Sequence, residues 1–236
     1  MDTADPRARI LQAALELLET DGAETVSTRS VSAAAGVQPP TIYRHFGDMP
    51  GLLNEVVQAG FQSYLAAKSA RTEYSDSIEE LRAGWDLHVE FGLTHPHLYT
   101  LMYRTPEPSA ASPAALEGAA MLRSLMRRVA AAGRLSVEVD RAAAMFHAAC
   151  KGVTLSLLSG EADDGLSSFM RETILKAISM PEVGDQTIAD PSPVQRVAVH
   201  AVSLRALLPT VTTPLSPTEQ ALLAEWLERL GRSKLG

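Results

Sequence analysis

The spacing of apolar residues is the feature that most limits how this chain can fold. Between Pro6 and Thr20, apolar side chains recur one, three and four positions apart, which places them along one side of an α-helix, and Asp21-Gly22 ends the pattern. A similar stripe runs from residue 50 to residue 65. No segment alternates apolar and polar residues as a half-buried β-strand does. The pattern predicts an all-α fold.

Composition narrows the class of protein. The 236 residues are 46% hydrophobic and 21% charged, which is typical of a globular chain with a sizeable core. The one cysteine, Cys150, has no partner for an intramolecular disulfide and fits a reducing compartment. No N-terminal signal segment is recognisable, and no window approaches the roughly 18 consecutive apolar residues of a membrane span. We expect a cytoplasmic protein with no membrane partner.

The charge distribution is uneven. A formal net charge of -7 argues against a protein that coats nucleic acid through a general excess of Lys and Arg. Between Thr25 and Gly47, however, the chain carries Arg29, Arg44 and His45 and no acidic residue. A small positive surface within an acidic molecule is therefore expected.

This same region predicts two short helices joined by a turn. Thr28 to Ala35 forms the first, with Ser27 as its N-cap and Gly36 as the residue that ends it. Two prolines, Pro39 and Pro40, fit the first turn of a second helix that ends at His45 or Phe46. Helix, glycine-containing turn and short helix is the arrangement of a helix-turn-helix, whose second helix fits the major groove of DNA. Any αα-hairpin has this spacing, so the side chains must decide.

The second helix carries hydrogen-bonding side chains suited to DNA. Thr41, Tyr43, Arg44 and His45 offer hydroxyl, phenol, guanidinium and imidazole groups for phosphate oxygens and base edges. Burial is the alternative for the two aromatic residues. We expect it for Phe46 and leave it open for Tyr43.

Two stretches resemble the tetracycline-repressor (TetR) family of bacterial regulators: "ILQAALELLETDGAETVSTRSVSAAAGV" and "PPTIYRHFGDMPGLL". The resemblance implies a three-helix DNA-binding head and an all-α C-terminal body that forms a homodimer and binds a small-molecule effector. It also implies that the dimer reads a palindromic operator in double-stranded DNA, and it assigns Tyr43 to the DNA surface. The residues it marks as DNA contacts are Thr28, Arg29, Gln38, Pro39, Thr41, Tyr43, Arg44 and His45.

Two positions depart from the family pattern. Where the family usually places a lysine that clamps a phosphate, this chain has Met49, preceded by Asp48. One charged phosphate contact is expected to be missing, which predicts a shallower salt dependence of DNA binding. Gln38 stands where a short hydroxyl residue commonly caps the second helix. The N-cap of this helix is therefore expected to be weaker.

The rest of the chain predicts a helical body and a C-terminal extension. We divide the chain into a DNA-binding domain over residues 1–57, a ligand-binding and dimerisation domain over 58–182, and a helical extension over 183–236. The helices predicted in the body span residues 76–94, 96–103, 113–132, 140–159 and 166–180, with a loop over 104–113. The helices of 140–159 and 163–180 are expected to form the dimer contact.

The extension predicts two helices with matching starts. Ser192-Pro193-Val194-Gln195 and Ser216-Pro217-Thr218-Glu219 each follow the capping-box pattern with proline at the first helical position. Their apolar residues are expected to pack on the body or on the partner subunit: Val194, Val197, Ala201, Val202, Leu204, Leu208, Leu222, Leu223, Trp226 and Leu230.

A ligand pocket is predicted from aromatic and flexible residues of the body. The candidates are Trp85, His88, Phe91, Tyr99, Met102, Met121, Leu125, Met145 and Cys150. Each of them has ordinary core packing as its alternative, but such side chains line adaptable apolar cavities. Together they favour an apolar or aromatic effector.

Catalytic and metal-binding functions are weakly supported. His147 and Cys150 are three positions apart on a predicted helix and could share a metal ion, yet a single cysteine cannot supply the paired ligands of structural zinc sites. No nucleophile elbow, phosphate-binding loop or zinc-protease motif occurs. We expect that the protein is not an enzyme and binds neither a cofactor nor a metal ion. We expect instead a ligand-responsive repressor. The alternative is a helical ligand-binding or scaffold protein that has lost DNA binding.

Overall fold

The computed structural model describes residues 5–69, 74, 76–104, 113–160, 163, 165–180 and 192–232. Within these ranges the chain is helical, with one isolated β-bridge between Leu135 and Ser179 and no strand. The helices are α1 (Pro6–Asp21), α2 (Thr28–Ala35), α3 (Pro39–Phe46), α4 (Met49–Ser69), α5 (Ser77–Thr94), α6 (Pro96–Arg104), α7 (Pro113–Ala131), α8 (Val139–Leu158), α9 (Leu166–Ile178), α10 (Pro193–Leu207) and α11 (Pro217–Gly231). The predicted all-α fold is confirmed.

The first three helices form a small head whose local chemistry sets their ends. Ser27 and Ser30 make a reciprocal capping box at the start of α2, with N···O distances of 3.2 and 3.0 Å. Gly36 ends α2 with φ of +63°, a left-handed conformation that glycine adopts without a Cβ penalty. As expected from its sequence, α3 begins with its two prolines and without a side-chain cap from Gln38.

The head has its own hydrophobic cluster, and helices from beyond the head take part in it. Ile10, Leu18, Val31 and Ile42 are fully buried within α1, α2 and α3. The cluster continues into the first half of α4 and reaches Leu98 on α6. The head is therefore packed onto the body through α4 and α6 and is not a separate module on a linker.

The body encloses a second cluster built from α5, α7, α8 and α9. Trp85 lies at its centre, fully buried, with its ring edge against Phe146 at a centroid distance of 5.4 Å. The indole N–H donates to the Ser167 hydroxyl at 3.0 Å, so the polar atom of this large side chain is satisfied. Arg82 on α5 pairs with Glu172 on α9 at 3.0 Å on the surface above this core.

The extension is a helical hairpin in which α10 packs on α7 and α11 packs on α10. Both predicted capping boxes are present, at Ser192 with Gln195 and at Ser216 with Glu219. Ala201 and Val202 are buried as expected. Six of the other apolar residues remain exposed in the single chain, because the hairpin covers one side of each helix: Val194, Val197, Leu204, Leu222, Trp226 and Leu230.

Helix ends differ from the predictions by a few residues. The helix predicted to stop at residue 65 continues to Ser69, and the one predicted to stop at residue 180 ends at Ile178. Asp76 caps α5 by accepting from the Ile78 amide at 3.0 Å, and Ser75 before it lies outside the described residues. So do residues 105–112 of the predicted loop and residues 181–191 at the start of the extension.

The two tryptophans provide a matched test of this packing. Replacing Trp85 with Ala should lower the free energy of unfolding by about 3–5 kcal/mol, since it leaves a large cavity in the core. The same change at Trp226, which is 52% exposed, should alter it by no more than about 0.5 kcal/mol. Urea unfolding followed by circular dichroism measures both. Equal losses would mean that the outer side of α11 is covered in solution.

Candidate nucleic-acid interface and internal cavity

The predicted DNA contacts lie on one outer surface of the head. Arg29, Gln38, Pro39, Tyr43 and Arg44 are exposed. The half-buried residues of the set are Thr28, Thr41 and His45. Ile42 and Phe46, the apolar residues of α3, face inward. The helix α3 therefore presents its polar side to solvent. The burial of Phe46 agrees with the expectation from the sequence.

Tyr43 is held in place before any ligand binds. Its ring is 47% exposed, and its hydroxyl shares a hydrogen bond of 3.0 Å with the Thr28 hydroxyl at the start of α2. This bond joins the two helices across their outer surface. A phenol fixed in this way loses little side-chain entropy when it contacts a phosphate or a base.

His45 is less available than its position suggests. Its Nε2 is buried and has no hydrogen-bond partner among the described residues, and its ring lies 6.3 Å from that of Phe46. The inward-facing nitrogen cannot contact DNA in this rotamer. Any contact from His45 must come from Nδ1 or from a rotated ring.

At the start of α4, Asp48 and Met49 stand where the family usually has its phosphate-binding lysine. The Asp48 carboxylate accepts from the Gly51 amide at 2.7 Å and caps the helix. Met49 is half-buried and packs against the hydrophobic cluster of the head. The position therefore contributes to packing and brings no positive charge to the surface.

A cavity of about 180 Å³ lies in the body beneath the head. Its lining comes from α4, α5, α6, α7 and α8: Phe61, Tyr64, Leu81, Gly84, His88, Met102, Tyr103, Ala115, Gly118, Ala119, Leu122, Leu125, Phe146, His147 and Cys150. Four of the predicted ligand contacts are in this set, namely His88, Met102, Leu125 and Cys150. These four come from four different helices that meet at one place.

The other five predicted contacts do not line this cavity. Trp85 and Tyr99 are fully buried in packed surroundings. Phe91 packs on the cluster of the head, and Met145 packs on that of the body. Met121 is half-buried on α7. For Trp85 in particular, the alternative of ordinary core packing describes what the structure shows.

Sequence reasoning missed several lining residues. Phe61 and Tyr64 lie on α4, which was predicted as an amphipathic helix but not as part of the cavity wall. Tyr103 was overlooked although it follows the candidate Tyr99 by four positions, which places the two on one side of α6. That spacing was the available signal. Nothing in the sequence indicates that α4 and α8 border the same space.

The polar groups of the cavity form two hydrogen-bonded pairs. His88 Nε2 shares a 2.7 Å bond with the Tyr99 hydroxyl, and His147 Nε2 shares a 3.2 Å bond with the Tyr103 hydroxyl. The imidazole rings lie 6.1 Å apart. Burial raises the pKa of the Tyr99 and Tyr103 phenols well above the usual value, so both stay protonated at neutral pH.

Two helices connect the cavity to the head. On α4, Leu52 and Val56 are buried in the cluster of the head, and Phe61 lines the cavity. On α6, Met102 both packs on the cluster of the head and lines the cavity. A molecule in the cavity would therefore touch side chains that also support the head.

A polar contact strengthens this junction. His95, between α5 and α6, lies 3.0 Å from the Glu19 carboxylate on α1, and this pair becomes an ion pair when the imidazole is protonated. Nearby, a Cβ at Gly22 would lie 3.3 Å from the His97 ring. The end of α1 thus sits directly on the corner between α5 and α6.

Family models match both parts of the chain. The model for bacterial regulatory proteins of the tetR family matches residues 10–56, and that for the tetracyclin repressor-like C-terminal domain matches residues 81–174. Together the two ranges cover more than half of the 236 residues. The chain belongs to the TetR family. Neither range reaches α10 or α11, so the extension lies beyond what defines the family.

Relatives that match part of the chain are named as transcriptional regulators. A helix-turn-helix-type transcriptional regulator from Staphylococcus aureus is 26% identical over 98 residues, which are 41% of this chain and 53% of that protein. The chain thus spans about half the length of the S. aureus relatives it matches.

Two solved structures share the fold. A protein of unknown function from Rhodococcus sp. RHA1 has a TM-score of 0.66 at 24% identity, covering 75% of this chain and 97% of that one. A TetR-family regulator, described as putative, from Vibrio parahaemolyticus has a TM-score of 0.56 at 22% identity, covering 75% of this chain and 100% of that one. In both comparisons, a quarter of this chain has no counterpart.

The described residues also bear on membrane and metal binding. No helix in the described ranges is long and apolar enough to cross a membrane. The described residues contain no group of three or more His, Cys, Asp or Glu side chains placed to hold a metal ion. The buried Cys150 lies with its Sγ 3.9 Å from the Trp85 carbonyl oxygen, so this side chain is part of the core as well as of the cavity wall.

Two glycines of α5 test how closely this helix packs on α8. A Cβ at Gly92 would lie 2.2 Å from Cγ2 of the buried Thr154, whereas a Cβ at Gly84 would meet nothing within 4 Å. Gly92→Ala should destabilise the protein by about 1–3 kcal/mol through overpacking. Gly84→Ala should stabilise it by about 0.5–1 kcal/mol, because alanine favours the helix. Thermal unfolding compares them, and a stabilising Gly92→Ala would contradict the close contact of α5 with α8.

Proposed function

We propose that this protein is a ligand-responsive DNA-binding regulator, a repressor that binds a palindromic operator as a homodimer and is released by a small apolar or aromatic effector. The observation that carries the proposal is the shared packing of α4 and α6. The same two helices support the polar surface of the head and line the cavity, so occupation of the cavity has a direct physical route to the DNA-binding surface.

The DNA-binding part of the proposal is supported by the outer surface of α2 and α3. Exposed Arg29 and Arg44 supply charge for phosphates, and the Tyr43 and Thr28 hydroxyls lie within one hydrogen-bonded unit. A short helix of this width can enter the major groove. The likeness to DNA-binding relatives points the same way.

The dimer part is supported by the outer faces of α8 and α9. Exposed Ala144, Ala148 and Gly152 on α8 are small enough for close helix approach. On α9, Phe169 is 70% exposed, the highest value among the large hydrophobic side chains of the described residues. Two copies of these helices would form a four-helix contact that buries the aromatic ring.

The release mechanism we propose is a shift between two dimer geometries. The two recognition helices must lie about one DNA turn apart, roughly 34–36 Å, to dock together. A small rotation of each head at α4 and α6 would break this spacing. An effector releases DNA only as far as it binds the released geometry more tightly than the DNA-bound one. To change the ratio of released to DNA-bound geometry from 1:99 to 99:1, its binding free energies for the two must differ by about 5.5 kcal/mol.

Selection of binding sites from random double-stranded DNA tests the DNA-binding part. The wild-type chain, refolded free of ligand, should enrich an inverted repeat with half-sites about one turn apart. Tyr43→Ala should lower affinity for that site by at least about fivefold, since one specific contact is worth about 1–3 kcal/mol. Tyr74→Ala, which alters another exposed tyrosine outside the head, should leave affinity unchanged. Fluorescence anisotropy measures all three proteins.

Absence of any enriched site at low salt would remove the regulator proposal. It would favour the scaffold alternative, to which the packed Met49 gives some support because it removes one phosphate clamp. An equal loss in the two tyrosine variants would indicate a fold defect and would contradict the assignment of Tyr43 to the interface.

The salt dependence of operator binding tests the role of position 49. Met49→Lys should make the slope of log affinity against log salt more negative by about 0.9, the contribution of one added phosphate contact. Met49→Leu, which keeps the apolar packing, should leave the slope as it is. Anisotropy titrations at several salt concentrations measure it. A slope unchanged by the lysine would show that this position does not face a phosphate.

A further inference from the structure

The cavity is polar at one end and apolar at the other. Leu81, Leu122, Leu125 and Phe146 form an apolar wall, whereas the imidazoles of His88 and His147 lie close to each other and to the Tyr103 ring. Among the described residues, the lining includes no Asp or Glu. The described part of the polar end therefore offers nitrogen and hydroxyl groups and no carboxylate.

A lysine adds a positive charge beside this polar end. Lys151 lies one turn after His147 on α8, and its ammonium is 5.5 Å from the centroid of the Tyr103 ring. The side chain is half-buried and makes no ion pair among the described residues. A cation in this setting favours an anionic group nearby, because partial burial weakens its solvation and strengthens its interaction with a counter-ion.

The size of the cavity limits the apolar part of any ligand. An engineered apolar cavity of roughly 150 Å³ holds one benzene molecule. The cavity of about 180 Å³ observed here has room for one ring with a small substituent. A multi-ring ligand would need the walls to move.

From these observations we propose that the effector is a small aromatic carboxylate with a single ring. Its ring lies against Leu122, Leu125 and Phe146, and its carboxylate lies at the end formed by His88, Tyr103 and His147 with Lys151 beside it. The inference rests on the proposed function insofar as it names the molecule an effector; the binding site itself does not depend on it. A ligand cation is disfavoured by the lysine, and the described lining offers no carboxylate to pair with one.

The test compares two probes of equal shape. Benzoate and benzamide differ mainly in charge, so a site that recognises the anion should bind benzoate at least about tenfold more tightly, as charge-assisted hydrogen bonds are about twice as strong as neutral ones. Isothermal titration calorimetry at neutral pH measures both on the full-length chain after refolding without ligand.

Variants at the lysine assign the preference to this site. Lys151→Met keeps the apolar stem and should weaken benzoate binding about tenfold, with benzamide changed less than about twofold, because only the charge is lost. Lys151→Arg should retain the preference for benzoate. Lys176→Met removes an exposed lysine of α9 outside the cavity and should change neither probe.

The outcomes separate this inference from the proposed function. Equal affinities for the two probes, no binding of either, or a benzoate preference that survives Lys151→Met would each overturn the carboxylate site, whatever the DNA result. Benzoate binding with the expected lysine dependence supports the site even where no operator is found, which removes only the regulator role. Release of the selected operator by benzoate and not by benzamide supports both.

Discussion

The placement of α4 and α6 between the hydrophobic cluster of the head and the cavity is the constraint on which the rest of this structure depends. Leu52 and Val56 are fixed in the core of the head, and Phe61, about one and a half turns further along α4, forms part of the cavity wall. Because protein interiors are packed as densely as organic crystals, neither end of such a helix can shift without displacing its neighbours. A displacement at the cavity wall would therefore reach the head without a flexible element, because one helix belongs to the core of the head and also lines the cavity.

Features that are set by residues close in sequence were predicted correctly, whereas features that depend on residues distant in sequence were predicted only in part. Helix starts at Ser27, Ser192 and Ser216 were predicted correctly because a capping box involves residues three positions apart. The cavity was predicted only in part, because its lining depends on how helices distant in sequence cross. Trp85 was chosen for its residue type and is core, whereas Tyr103 was passed over and lines the space.

The extension also shows that sequence patterns do not predict contacts between elements that are distant in sequence. Its apolar stripes indicated correctly that α10 and α11 each have a face to bury, but periodicity does not say what covers that face. In the single chain, α10 uses Ala198 and Val202 against its neighbours, and α11 leaves Trp226 exposed. Since α7 lies between α10 and the cavity, the extension supports one cavity wall from outside. An outward movement of α7 would therefore have to displace the hairpin of α10 and α11, or the hairpin would restrict it.

The net charge of -7 bears less on function than the placement of individual charges. At 0.1 M salt, interactions between exposed charges more than about 10 Å apart are largely screened. The acidic residues of the body therefore have little effect on a phosphate at the head, where Arg29 and Arg44 are local and exposed. Screening is much weaker inside a partly buried cavity, so a single lysine beside it has more influence there than the many acidic residues outside. Local cations would thus allow an acidic protein to select anions at both of the surfaces proposed here, the outer surface of the head and the cavity.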